Sequence, residues 1–376
     1  MKLKHAFLAG LAICAFAACS NENEPEELNN GAPASLAIKV VNPVTKAATE
    51  AAGSASESNI ADIYVAVFDA AGNFIADKDA TADELTDKTI YFDNSRGLRA
   101  GQTYQVTVIA NVKGKTGITL PSASKTLAEY QKLVSNLANA TTDNQFIMSG
   151  MKQTEAQLTA APDGTAENPV NTISVEVSRI AAKVELNKIS VNFSADKSNE
   201  GAESFTLTDA YLINGRSQSK IYNGSSTASV YDATASFLQG KAHAQMLFAG
   251  HVSNAPVESS YIKEHTSGNT VANKGNWAND IFKAYVLANE DSEHPTYLIL
   301  HGYITFNNGQ APKDIFYKIL IEDNSNAELA NKVLRNSVYQ IEANITGIKG
   351  GADPADLQVK VTVANWSIVP IHADLD

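Results

Sequence analysis

The stretch Ile173-Ser174-Val175-Glu176-Val177-Ser178-Arg179-Ile180-Ala181-Ala182-Lys183-Val184-Glu185-Leu186 lies near the middle of a 376-residue chain. Ile173, Val175 and Val177 alternate with polar neighbours at odd positions; Ile180, Ala182, Val184 and Leu186 resume the alternation at even ones. Alternation of period two marks a half-buried strand. A slip of one residue turns every later side chain to the opposite face, so Ser178-Arg179 is read as a bulge or a strand that changes sheets. The boundary between two domains is placed there, and the length suits two ordinary domains with separate cores.

Outward from this point the pattern stays β. Tyr104, Val106, Val108, Ala110 and Val112 alternate without a break, and 62–68 with Phe74-Ile75 reads as a hairpin turned at Ala71-Gly72-Asn73. Strands are expected at 205–213, 245–249, 282–287, 297–306, 315–321 and 337–348. The small polar stretches 217–240 and 254–275 are expected to be surface loops. Leu127, Tyr130, Leu133 and Leu137 share one helical face behind Thr126 and Glu129, which predicts a capped helix lying over one sandwich. The expected fold is mainly β: two Greek-key sandwiches of transthyretin or immunoglobulin type with one or two short helices.

The first residues read as an export signal. Lys2 and Lys4 precede an apolar run, 6–18, too short to span a bilayer, which closes on Phe16-Ala17-Ala18-Cys19 before the acidic tether 20–27. This is the pattern of a lipobox with Cys19 as the lipidated residue, although Phe16 stands where Leu is usual; the alternative is an ordinary signal cut near Ala18. Cys14 and Cys19 are the only cysteines, so the rest of the chain has no disulfide and no thiolate metal site.

With 29 Lys and Arg against 41 Asp and Glu, the net charge of −12 argues against nucleic-acid binding. His243, His251, His265, His294, His301 and His372 stand singly, and neither a phosphate loop nor a Gly-x-Ser-x-Gly elbow is present. No residue is nominated as catalytic, cofactor-binding or metal-ligating, and no enzyme activity is expected.

One relation joins the two ends. Leu36-Ala37-Ile38-Lys39-Val40 and Leu357-Gln358-Val359-Lys360-Val361 share the pattern Leu-x-Ile/Val-Lys-Val. Both read as short strands outside the main body, set off by linkers. Two five-residue strands rich in β-branched residues share such a pattern cheaply, so the likeness alone decides nothing.

The block Val175-Glu176-Val177-Ser178-Arg179-Ile180-Ala181-Ala182-Lys183-Val184 resembles a signature of the Bacteroidia fimbrillin family, the subunits of type V pili. Val65-Ala66-Val67-Phe68-Asp69, Val108-Ile109-Ala110-Asn111, Met148-Ser149-Gly150, Leu334-Arg335-Asn336-Ser337-Val338-Tyr339-Gln340-Ile341 and the final Val361-Thr362-Val363-Ala364-Asn365-Trp366 are similar to family segments in the same order. The resemblance implies a structural pilin without cofactors. It further implies export as an outer-membrane lipoprotein, activation by a trypsin-like protease that removes the first strand, and polymerisation at the cell surface by donor-strand exchange with other fimbrial subunits, in support of adhesion or biofilm formation.

Carried onto this sequence, 1–19 is the signal with its lipobox and 20–46 the tether and first strand removed as propeptide. The N-terminal sandwich is 47–179, the C-terminal sandwich 180–348, and the donor segment 349–376. The sites implied are lipidation at Cys19, cleavage between Lys46 and Ala47, and a donor strand presenting Leu357, Val359, Val361, Val363 and Trp366. The chain departs from the family in having no arginine before Arg96. Lys46 is the only basic residue between Lys39 and Lys78, so the protease accepts lysine, cuts elsewhere in 47–58, or leaves the subunit intact. The alternatives are a tip, accessory or anchor subunit of the same fimbria, or a glycan-binding surface lipoprotein. The last needs an aromatic platform that Trp277 alone does not supply.

Overall fold

The computed structural model describes residues 31–41, 50–52, 56–120, 126–141, 145–161, 165–166, 168–222, 232–237, 262–323, 329–349 and 357–367. In the first half, β1 (Leu36–Val41) lies between β5 (Thr89–Phe92) and β9 (Thr172–Glu176) in a three-stranded sheet. A second sheet has the order β10 (Ser178–Arg179), β8 (Met148–Gln153), β6 (Tyr104–Ala110), β3 (Ile63–Asp69), β4 (Phe74–Asp79). In the second half, one sheet runs β15 (Asn276–Leu287), β11 (Ala181–Val191), β18 (Ser337–Ile345), β19 (Leu357–Ser367), β2 (Glu50–Ala52). The other runs β14 (Ile262–Ala272), β12 (Ala202–Ile213), β16 (Tyr297–Phe306), β17 (Lys313–Leu320). The expected mainly β, sandwich-like architecture is what the chain adopts.

The phase change in 173–186 has a direct structural cause. β9 pairs with β1, β10 two residues later pairs with β8 in another sheet, and β11 then enters the second half. Ile173, Val175, Val177, Ile180, Ala182, Val184 and Leu186 are all buried, each strand segment turning its apolar set to its own core. The crossing needs Gly150 in β8: a Cβ there would lie 1.9 Å from the Glu176 carbonyl oxygen. Only a residue without a side chain lets the two backbones pass so closely.

Four expectations fail, the smallest at the loop expected over 217–240, which holds the strand β13 (Gln218–Lys220). The helix predicted from Leu127 to Leu137 is instead a single turn, α2 (Leu127–Tyr130), a strand, β7 (Val134–Asn136), and a second turn, α3 (Leu137–Thr141). The Thr126–Glu129 cap does form, with the Thr126 amide donating to Glu129 Oε2 at 2.7 Å. Val134-Ser135-Asn136 joins one β-branched residue to two that compete with helical hydrogen bonding, and it pairs with β13 (Gln218–Lys220) in a small sheet that ties the halves together.

Part of the predicted loop 254–275 is the strand β14. It takes an edge place beside β12, where polar residues can pair, as the 2.7 Å contact of the Thr206 and Thr270 hydroxyls shows. The first strand is not outside the body but central in its sheet. An unpredicted helix, α1 (Ala82–Asp87), starts on a reciprocal cap between Thr81 and Glu84 and ends at Lys88 with φ 53°. The expected strand 245–249 lies outside the described residues.

Candidate functional site

Alternation in Leu36-Ala37-Ile38-Lys39-Val40 becomes burial on one face. Leu36, Ile38 and Val40 are at most 7% exposed, with Ile90 and Phe92 of β5 and Ile173 and Val175 of β9 buried beside them. β1 runs antiparallel to β5, Ile38 facing Ile90, and parallel to β9, Ile38 facing Ile173. The segment before it is also stitched in: Gly31 and Ala34 amides donate to the Ala100 and Leu98 carbonyls, and Ala100 donates back to Ala32. Removing 31–41 therefore exposes a long apolar groove between two strands with free ladder edges. Beside Leu36 a recess of ≈ 480 Å³ is lined in part by Lys152, Thr154, Thr159 and Asn171.

The C-terminal strand has the same alternation in a different setting. β19 adds to β18 antiparallel, Val361 facing Ile341, and its last residues pair with β2 in parallel. Leu357, Val359, Val361 and Val363 are only half-buried against the core, while Gln358 and Lys360 point to solvent. Trp366 lies on β19 near its end. Cys19, Lys46 and Ala47 lie outside the described residues.

The chain downstream of the expected cut is pinned independently of β1. Arg179, fully buried, donates from Nε and Nη2 to the Glu57 carbonyl at 3.1 and 3.0 Å and from Nη1 to Asn336 Oδ1. The Glu57 carboxylate, 2% exposed, receives Lys283 Nζ at 2.9 Å, the Tyr285 hydroxyl at 2.7 Å and Lys183 Nζ at 3.4 Å. Burial lowers the Arg179 pKa to about 10 despite Glu57, and burial with Glu57 pushes Tyr285 to about 12. Asn111, at φ 61°, bonds Ala61 and Asn59 through its side chain. Arg335 reaches across to the Ser149 and Ser178 carbonyls at 2.9 and 3.0 Å.

Three of the segments singled out in the sequence, at Ser149, Ser178-Arg179 and Arg335-Asn336, thus meet at one place. Sequence reading missed Glu57, whose loop context gave no sign that a carboxylate would be buried among two lysines and a tyrosine.

Residues 32–188 match the family of the major fimbrial subunit protein (FimA). Over 99% of its length the chain is 27% identical to the major fimbrium subunit FimA type-2 of Porphyromonas gingivalis, covering 100% of that protein. Residues 32–188 are fimbrillin-like.

Its fold recurs in the fimbrilin of Porphyromonas gingivalis W83, at 18% identity and TM-score 0.56 over 90% of this chain and 99% of that one. It recurs also in a candidate cell adhesion protein of Bacteroides eggerthii, at 19% identity and TM-score 0.62 over 91% and 98%. The fimbrillin family is one of structural subunits that assemble with one another into surface fimbriae, and it is not a family of enzymes.

Proposed function

We propose that this chain is a stalk subunit, exported as a lipoprotein on Cys19, cut by a trypsin-like protease after Lys46, and polymerised by donor-strand exchange into fimbriae that support adhesion or biofilm formation. The observation that carries the reading is the position of β1: a central strand whose Leu36, Ile38 and Val40 are buried, joined to the rest of the chain through a segment that contains Lys46, the sole basic residue between Lys39 and Lys78. The pinning of 57–61 supports it further, since the body keeps its hold on the new N-terminus when the strand leaves. The tail supplies a matching strand whose apolar side chains are less buried at home than those of β1 are in the groove. Passing from half to full burial favours exchange by about 1 kcal/mol for each of four residues. Backbone pairing adds little, because β19 gives up its bonds to β18 for equivalent ones.

The test is the N-terminus of subunits sheared from cells, by mass spectrometry. A start at Ala47 is expected. A start at Cys19 rejects proteolytic activation, and a start within 48–58 keeps activation but moves the site.

A further inference from the structure

The groove has a definite pattern of sockets. Facing the core are Ala34, Leu36, Ile38 and Val40, all buried; on the other face Ser35 and Ala37 are also buried, and Lys39 alone among 34–40 is open to solvent. The tail repeats more of this segment than its five-residue strand. Pro33-Ala34-Ser35-Leu36-Ala37-Ile38-Lys39-Val40 and Pro354-Ala355-Asp356-Leu357-Gln358-Val359-Lys360-Val361 share proline, alanine, leucine, lysine and valine at the same five places, with Val for Ile at a sixth. Ala34 is 0% exposed and Pro33 forms a bridge with Arg99, so both outlying matches fall on positions the fold constrains.

We infer that the tail of a second copy enters the groove running in the direction of β1, with Pro354 on Pro33, Ala355 on Ala34, Leu357 on Leu36, Val359 on Ile38, Lys360 on Lys39 and Val361 on Val40. This rests on the strand-exchange reading, which requires a tail strand in the groove but no particular register. A one-residue shift turns the apolar side chains out of the core. Sliding the tail by two residues toward Ala34 buries the Lys360 ammonium at Ala37 and forces Leu357 into an alanine socket, both costly. Sliding it by two the other way leaves Ala355 in the Leu36 socket, a cavity in a dry core. Reversing the strand keeps Lys360 on Lys39 but seats Val363 in the Leu36 socket and leaves Leu357 beyond Val41. The inferred register has its own cost, since Asp356 falls on Ser35 and Gln358 on Ala37, both buried; Lys152, which pairs with Glu155 in the recess beside Leu36, is the cation near Asp356, and Gln358 carries no charge where the shifted register would place the Lys360 ammonium.

Cysteine pairs across the groove test this, because the chain beyond Cys19 has no thiol of its own. The bond from the Val40 amide to the Lys88 carbonyl makes Lys39–Thr89 and Ala37–Tyr91 the pairs without mutual hydrogen bonds. Their Cα atoms lie about 4.5 Å apart, within disulfide range. Fimbriae are assembled from full-length chains carrying two substitutions each and run on a non-reducing denaturing gel. Thr89→Cys with Lys360→Cys, and Tyr91→Cys with Gln358→Cys, are expected to give heat-resistant ladders that collapse on reduction.

Ladders from Thr89→Cys with Thr362→Cys or with Gln358→Cys instead of Lys360→Cys overturn the register. A ladder from Tyr91→Cys with Thr362→Cys overturns the direction. Either result leaves strand exchange standing. If all of these variants assemble and none cross-links, the tail does not occupy the groove and the underlying reading falls. Should the Tyr91 variants fail to assemble, the three Thr89 pairs still separate the registers.

Discussion

At Gly150 the backbone of β8 passes so close to Glu176 that no side chain fits. Gly150→Ala is expected to destabilise the chain by roughly 1–3 kcal/mol through forced backbone shifts, visible as a lowered thermal midpoint with native circular dichroism at low temperature; an unchanged midpoint contradicts the tight crossing. A second residue-scale device sits on the second half. His301 lies 2.9 Å from both Asp209 and Asp314 and stacks on Phe316 at 4.1 Å. Burial lowers its pKa, but the two carboxylates outweigh burial and hold it above the ordinary 6.5. A folded pKa above the unfolded one stabilises fully below about pH 6.5 and is lost as pH rises through the folded value. Thermal midpoints are therefore expected to fall across that window, and His301→Gln to flatten the decline. A wild-type slope that persists in the variant assigns it to other groups.

Among the elements, β6, β16 and β18 were legible from their runs of apolar and β-branched residues, whether one face is buried, as with Tyr339, Ile341, Ala343 and Ile345 of β18, or both are, as from Val106 to Ala110 of β6. The alternation in 173–186 marked the change of sheets, since inverted phase has few other physical meanings. What failed was decided by partners far along the chain. β7 is a strand because β13 is there to pair with it, and β14 is a polar strand because an edge beside β12 tolerates threonine and asparagine. The tail combines both cases, with an alternation that was plain and a setting, on β18, that was not. That setting makes a prediction. Val361 is half-buried on its own sheet, so Val361→Asp can turn its carboxylate toward water and should lower monomer stability by about 1 kcal/mol. In a neighbour's groove the same carboxylate is unpaired and dry, at a cost of several kcal/mol. Monomers should fold and filaments should vanish, with Lys360→Thr as the tolerated control. A monomer that unfolds as it would from a core substitution makes β19 part of its own domain.

For the molecule as a whole, the sequence showed the change of phase at 178–179 and the alternation of the two end strands, but it left open how the ends relate in space, because no local pattern records which sheet a strand joins. In the fold each end strand belongs to a different half, β1 central in one sheet and β19 near the edge of another. The two ends are therefore not equivalent in what their loss does. Without β1 the first half loses a buried strand and keeps an open groove; without β19 the second half loses a half-buried one, and β18 becomes the edge. A chain ending at Lys349 should accordingly fold, because β18 keeps its pairing with β11 and carries Tyr339, Ile341, Ala343 and Ile345, all buried in the intact chain, on one face. It should still accept a neighbour's tail, since the groove lies wholly within 31–177, but it offers no tail in return. Added to intact subunits during assembly, it is expected to end each filament that takes it up, so mean length in electron micrographs falls with its molar fraction while the number of filaments holds. Thermal unfolding checks that the truncated chain is folded when it is added. If it polymerises alone, contacts between sandwich faces drive assembly and the tail is dispensable. If it folds yet leaves the lengths of intact filaments unchanged at equal molar ratio, it is not taken up, and the groove is not the acceptor.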